Sequence, residues 1–222
     1  MQRQSDPNYL PALRFHFLTP YYDAIVGSTT RERRFKHALI DQSRIGSNHK
    51  VLDLACGTGT LAIWIKQQHP EAEVTGVDGD PIILATAAGK AKRTGVSVRF
   101  DHALSYTLPY SPSHFDRVVS SLFFHHLSWE SKQRTARELF RVLKPGGELH
   151  VADWGRPDNA LMRTLFLFVQ IFDGFANTRD NVSGELITLF EQAGFVSVMQ
   201  RQTFSTLYGT MTLYRAKKPI DA

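Results

Sequence analysis

The chain has 222 residues, 42% of them hydrophobic and 21% charged, with a formal net charge of +5. This composition suits one soluble α/β domain with a full core and excludes a disordered or fibrous chain. The single cysteine, Cys56, excludes an internal disulfide and any multi-cysteine zinc site, and it fits a reducing, cytoplasmic compartment.

Residues 1–30 mix Pro7, Pro11 and Pro20 with the rings of Tyr9, Phe15, Phe17, Tyr21 and Tyr22, which reads as an irregular arm. Residues 1–8 are polar and lack the apolar run of a secretory signal. Thr30 is a candidate cap for a helix running to about Ser43. Residues 51–54 form a buried-type strand and 60–68 a helix; 73–77 form a second strand that ends in Asp78. Pro81 starts a helix over 82–92, and 96–100 is a third strand. A fourth strand covers 115–119, a helix 129–143 and a tight turn 144–147; a fifth strand, 148–152, ends in Asp153. An apolar helix follows around 162–172, then a polar stretch at 177–183. The longest apolar run, 165–172, is too short to span a bilayer. A helix over 184–192 stops at Ala193-Gly194. Two strands, 195–201 and 203–215, are joined so closely that they must be antiparallel. This alternation predicts βαβ units and a mostly parallel sheet covered on both faces, a Rossmann-like three-layer α/β/α sandwich. The whole of 1–222 reads as a single domain, with 1–46 as arm and first helix and 155–183 as an insertion that shapes an acceptor site.

The chemistry concentrates in Asp53-Leu54-Ala55-Cys56-Gly57-Thr58-Gly59. An acid ends the strand and a glycine turn opens the helix, so backbone can approach a ligand closely. Asp53 would repel the pyrophosphate of a dinucleotide. It suits a ligand that carries cations beside its carboxylate, such as S-adenosylmethionine, which has no phosphate. Cys56 reads as a small packing residue beside that ligand, not as a nucleophile. Asp78, at the next strand end, can accept both hydroxyls of a ribose. Asp80, just before Pro81, is the better candidate for a helix cap. Behind the fourth strand, Ser120 to Leu127 carries His125 and His126. Either is a candidate general base, the alternative being a positional or capping role.

On residues 51–60, Gly76-Val77-Asp78, Leu108-Pro109-Tyr110 with Phe115-Asp116, and Arg141-Val142-Leu143-Lys144-Pro145-Gly146-Gly147, the chain resembles class I S-adenosylmethionine-dependent methyltransferases. It looks most like their small-molecule branch, which includes quinone-biosynthesis methyltransferases. The resemblance covers roughly residues 50–215 and implies a seven-stranded sheet whose last strand is antiparallel. It implies S-adenosylmethionine held by Asp53, Ala55, Gly57, Gly59, Asp78, Gly79, His102, Ala103, Leu104 and Ser120. Relatives often place Asp or Asn where Leu104 stands, so adenine here would rely on backbone, apolar contact or His102. His125, His126 and Asp153 are the candidate bases. Tyr22, Phe124, Trp154 and Phe172 are candidates for the acceptor, with Phe166, Phe168 and Phe175 as further rings. Arg163, Arg179, Asp173 and Asp180 could serve a polar end.

No Asn-Pro-Pro-Tyr or Asp-Pro-Pro-Tyr follows the fourth strand and no Pro-Cys is present, which argues against base-directed methylation. Ser120 and Trp154 stand where a catechol-type magnesium site would want an acid and an Asn, so no metal is expected. The expectation is methyl transfer to a small acceptor that is aromatic, quinone-like or lipid-like. An RNA methyltransferase, using Lys90, Lys92, Arg93, Arg215, Lys217 and Lys218, is the competing enzymatic reading, although nucleic acid is not the expected partner. A non-catalytic cofactor-binding module is the competing non-enzymatic one. Oligomeric state is not legible.

Overall fold

The computed structural model describes residues 32–157 and 159–221, apart from the side chains of 168, 169, 171–173, 175 and 176. Tyr22 and the rest of the 1–31 arm lie outside the described residues, as do the side chains of Phe168, Phe172, Asp173 and Phe175. In chain order the elements are α1 (Glu32–Ser43), β1 (Lys50–Leu54), α2 (Thr60–Gln68), β2 (Glu73–Asp78), α3 (Pro81–Thr94), β3 (Arg99–His102) and β4 (Phe115–Ser121). Then come a 3₁₀ turn (Phe124–His126), α4 (Trp129–Val142), β5 (Leu143–Trp154), α5 (Ala160–Asp173), α6 (Phe175–Ser183), α7 (Leu186–Gln192), β6 (Val196–Ser205) and β7 (Thr210–Lys217).

The seven strands form one sheet in the order β3-β2-β1-β4-β5-β7-β6. The first five strands pair in parallel, and β7 runs antiparallel to both β5 and β6. Chain direction across the sheet reverses between β1 and β4, and a ligand crevice opens outside the carboxyl ends of strands at such a point.

Strand periodicity divides the core between the two faces. Val51 packs with Phe35, Leu39 and Ile40 of α1 and with Leu61, Ala62 and Ile65 of α2. Leu52 and Leu54 face the other way, onto Ala136 and Leu139 of α4 and Leu186, Leu189 and Phe190 of α7. Each fully buried Leu, Ile or Phe contributes about 1.5–3 kcal/mol. Asp53 therefore falls on the α1/α2 side, buried within an apolar layer. Caps fix the helix ends near the crevice: Asp80 Oδ1 accepts the N–H groups of Ile82 and Ile83 at 2.8 and 3.4 Å, with Pro81 in the first turn.

Four sequence expectations shift. The third strand pairs over Arg99–His102, not 96–100, because Gly95 closes α3 in the left-handed region and Val96 still donates to Ala91 O. Residues 96–98 are spent descending from that cap to the sheet. The 144–147 turn is a bulge inside β5: pairing with β4 slips between Phe115 and Arg117, and Gly146 takes φ 77°. The β6–β7 turn sits at 206–209, where Thr206 N–H donates to Gly209 O at 2.9 Å. The polar 177–183 stretch lies within a helix, α6, which its Asn, Thr and Asp residues do not advertise.

Candidate active site

The turn after β1 is built from left-handed backbone: Ala55, Gly57 and Gly59 have φ of 54°, 53° and 74°. Cys56 N–H donates to Val77 O and Gly59 N–H to Cys56 O, both at 2.9 Å, which clamps the turn to β2. The two glycines serve different purposes. A Cβ on Gly59 would lie 2.9 Å from Ala87 Cβ and 3.0 Å from the Phe100 ring, so Gly59 lets α3 and β3 close in. A Cβ on Gly57 would meet nothing within 4 Å. Gly57 faces open space above the turn, the cradle that a ligand pressed against backbone requires. Cys56 packs against Gly76, and burial pushes its thiol well above its ordinary range. It is a packing residue.

Asp53 is almost wholly enclosed beneath this turn, and its Oδ2 accepts the Ala62 N–H of α2 at 3.0 Å. Burial pushes its carboxyl up to about 7, against the opposing pull of Lys36 and the Ala62 N–H. Asp78 stands half-buried at the end of β2. Its Oδ2 accepts Gly57 N–H at 2.9 Å and its Oδ1 accepts Asp80 N–H at 3.0 Å. Gly79 N–H also acts on this carboxylate, which keeps acceptor capacity for a ligand hydroxyl. Burial raises the Asp78 pKa, opposed by those N–H groups. His102 Nε2 lies 3.0 Å from Gly79 O, and Ala103 N–H donates to Asp78 O at 3.2 Å. The loops after β2 and β3 are thus tied into one wall that holds Asp78, Gly79, His102 and Ala103, with partly exposed Leu104 following. Ile82, 60% exposed just beyond Asp80, is an apolar surface that the sequence reading did not single out. An exposed isoleucine at a helix start was the available signal.

The loops after β4 and β5 meet across the sheet. Asp153 is fully buried and accepts four N–H groups: Phe123 (3.2 Å) and Phe124 (2.7 Å) on Oδ2, Trp154 (2.7 Å) and His125 Nδ1 (2.7 Å) on Oδ1. Burial works to raise its pKa, yet His125 and these N–H groups hold it below the usual carboxylate range. Enclosed and saturated, Asp153 is a holder of His125, not a base of its own. The carboxylate can only accept, so His125 Nδ1 carries the hydrogen. His126 lies against His125 with ring centroids 3.9 Å apart. Desolvation, then His125, lowers its pKa to about 3, so it stays neutral.

Three expected site residues turn inward. Ser120 is fully buried and donates its hydroxyl to Leu54 O at 3.0 Å, which knits β4 to β1 at the switch point. Phe124 is core, its ring edge-on to Phe190 at 5.4 Å, and Phe166 is core beside Trp154. Trp154 is buried with its ring 6.3 Å from that of His125. Asp180 serves an internal ion pair with Lys132, and Arg163 donates to Gln170 Oε1 at 2.8 Å. Asn177 and Asn181 of α6 donate to His126 O and Trp154 O, each at 3.2 Å. Sequence reading missed these two and Lys132, because nothing in an isolated Asn or Lys marks a buried partner. The basic set behind the RNA alternative is depleted: Lys90 donates to Thr60, Arg215 pairs with Glu148, and Lys218 is buried against Phe140 O and Leu143 O. Among the described residues no helix is long and apolar enough to cross a membrane, and no three His, Cys, Asp or Glu side chains are grouped to hold a metal.

Residues 51–147 match a family model described as a methyltransferase domain. The chain is 35% identical over 145 residues to a demethylmenaquinone methyltransferase of Thermus thermophilus, covering 64% of this chain and 65% of that protein. It is 31% identical over 179 residues to the ubiquinone/menaquinone biosynthesis C-methyltransferase UbiE of Pseudomonas fluorescens, covering 78% and 67%. Among solved structures, the YcgJ protein of Bacillus subtilis superposes with a TM-score of 0.70 at 19% identity, covering 84% of this chain and 99% of that one. Fold, glycine cradle and relatives agree: the chain belongs to the class I S-adenosylmethionine-dependent methyltransferases, in the branch that methylates small-molecule acceptors.

Proposed function

We propose that the acceptor is a reduced quinone methylated at a ring carbon, and that His125 is the base. The acceptor class is supported by relatives whose names specify demethylmenaquinone and C-methylation. The observation that carries the base is the 2.7 Å bond from His125 Nδ1 to buried Asp153, which orients the ring and favours its imidazolium. The open face of Gly57 and the Asp78 carboxylate fit S-adenosylmethionine, and Asp53, Ala55, Gly59, Gly79, His102, Ala103 and Leu104 would line its site. Bound there, the cofactor supplies a methyl group activated by sulfonium, and the electron pair of the broken C–S bond stays on sulfur.

The protein's share is proton handling and alignment. A hydroquinone carbon becomes nucleophilic when a ring hydroxyl loses its proton. His125 takes that proton, and the Asp153 carboxylate stabilises the imidazolium that forms. The ring carbon's pair makes the new C–C bond, and its displaced hydrogen leaves as a proton to water as the ring regains aromaticity. Trp154, together with Tyr22 and Phe172, is assigned to the acceptor's apolar body.

The test is label transfer from methyl-labelled S-adenosylmethionine to separate acceptors: reduced demethylmenaquinone, a simple phenol, an amine and an RNA transcript. Label in the quinol alone supports the proposal. Label in the amine or RNA, with none in the quinol, refutes it.

A further inference from the structure

We infer that Lys132 is a positioning residue for methyl transfer: from α4 it anchors α6 against the two loops that carry His125 and Asp153. The inference rests on the reading of His125 as base. Lys132 has no exposed side-chain surface, and its Nζ donates to Asn177 O at 2.7 Å and to Asp180 Oδ2 at 3.1 Å. Burying an ammonium costs several kcal/mol, which an apolar residue of similar length would not incur. The charge secures α6. Residues 177, 180 and 181 share one helix face, and that face makes three different attachments. Asp180 and the Asn177 carbonyl hold Lys132, the Asn177 amide holds His126 O in the loop after β4, and the Asn181 amide holds Trp154 O at the end of β5. The insertion is therefore fastened to both sides of the His125–Asp153 pair. None of these attachments reaches the glycine turn.

Lys132→Met leaves the Asp180 carboxylate without its cation, Asp180→Asn leaves the ammonium without its carboxylate, and Lys132→Arg keeps the charge.

The experiment uses the full-length enzyme as wild type, Lys132→Met, Lys132→Arg, Asp180→Asn and the double variant. It pairs calorimetry of S-adenosylmethionine binding and steady-state turnover of reduced demethylmenaquinone with amide hydrogen exchange at residues 123–127 and 153–155. Cofactor affinity should stay within about twofold, while kcat falls about tenfold or more in Lys132→Met with KM little changed, and recovers in part with Lys132→Arg. Exchange in the two loops should quicken in Lys132→Met and Asp180→Asn, while the glycine turn at 55–59 stays as protected as in wild type. Unchanged exchange in both variants, or a Lys132→Met enzyme that melts early yet turns over normally when cool, overturns the inference. If Lys132→Met does not fold, Asp180→Asn decides it by the same readings. Exchange needs no acceptor, so an inactive wild type refutes the quinol while quickened loop exchange still upholds the Lys132 anchor.

Discussion

Asp53→Asn should make the cofactor-free protein more stable and the cofactor-binding protein worse, with a pH signature that identifies the cause. An unfolded aspartate ionises near 3.9, whereas burial pushes Asp53 up to about 7 in the fold. Between those values the native state keeps a proton that the unfolded state has lost. Stability therefore falls as pH rises through the window, by at most about 1.4 kcal/mol per pH unit and about 4 kcal/mol in all. Below the window the penalty is absent, and above it the penalty is complete and constant. The asparagine of the variant has no charge to bury and still offers an oxygen to the Ala62 N–H. The stability gap between variant and wild type, from urea unfolding without cofactor, should be smallest at pH 4 and widen to a plateau by pH 8. Even half the full effect, about 2 kcal/mol, is readily resolved. Calorimetry at pH 8 should show the opposite sign: loss of a charged partner for the ligand costs about 1.5–3 kcal/mol, or roughly 10- to 150-fold in Kd. A gap that is flat from pH 4 to 8 would refute the buried-charge reasoning. An unchanged Kd would refute the role beneath the cofactor.

Other outcomes follow from the same geometry. His125→Ala should lower kcat about 10²- to 10⁴-fold with little effect on cofactor affinity, checked by steady-state kinetics and calorimetry. Gly57→Ala and Gly59→Ala should separate: both incur about 1–2 kcal/mol of left-handed strain, but only the Gly59 variant adds a clash with Ala87 and Phe100. Thermal melts should therefore show the larger loss for Gly59→Ala, while Gly57→Ala fills ligand space and weakens S-adenosylmethionine binding. Cys56, its thiol pushed up by burial, should resist iodoacetamide at pH 8 in the folded protein and react on unfolding, followed by mass spectrometry.

The turn after β1 was written in local sequence, because glycine turns and strand-end acids act within a few residues of themselves. The left-handed glycines, Asp78 at the end of β2 and the Asp80 cap could be located from spacing alone. The arrangement after β4 and β5 could not. Ser120 and Phe124 belong to the right segment, but the pleat and the packing of α7 turn them inward, and no local pattern records which way a loop residue faces. Asp153 was found in sequence as a candidate base. Its role as holder of His125 appeared only once four N–H groups were seen to converge on it. Lys132 and the α6 asparagines were missed because their partners are 45 or more residues away for Lys132 and 51 and 27 for Asn177 and Asn181.

The most direct test of the account is the product of a reaction between the wild-type enzyme, carbon-13 methyl-labelled S-adenosylmethionine and reduced demethylmenaquinone, examined by NMR. The account predicts a labelled methyl bonded to a ring carbon, absent from the His125→Ala reaction run for the same time. A labelled methyl on oxygen, or equal yield of the ring-methylated product from the His125→Ala enzyme, would contradict it.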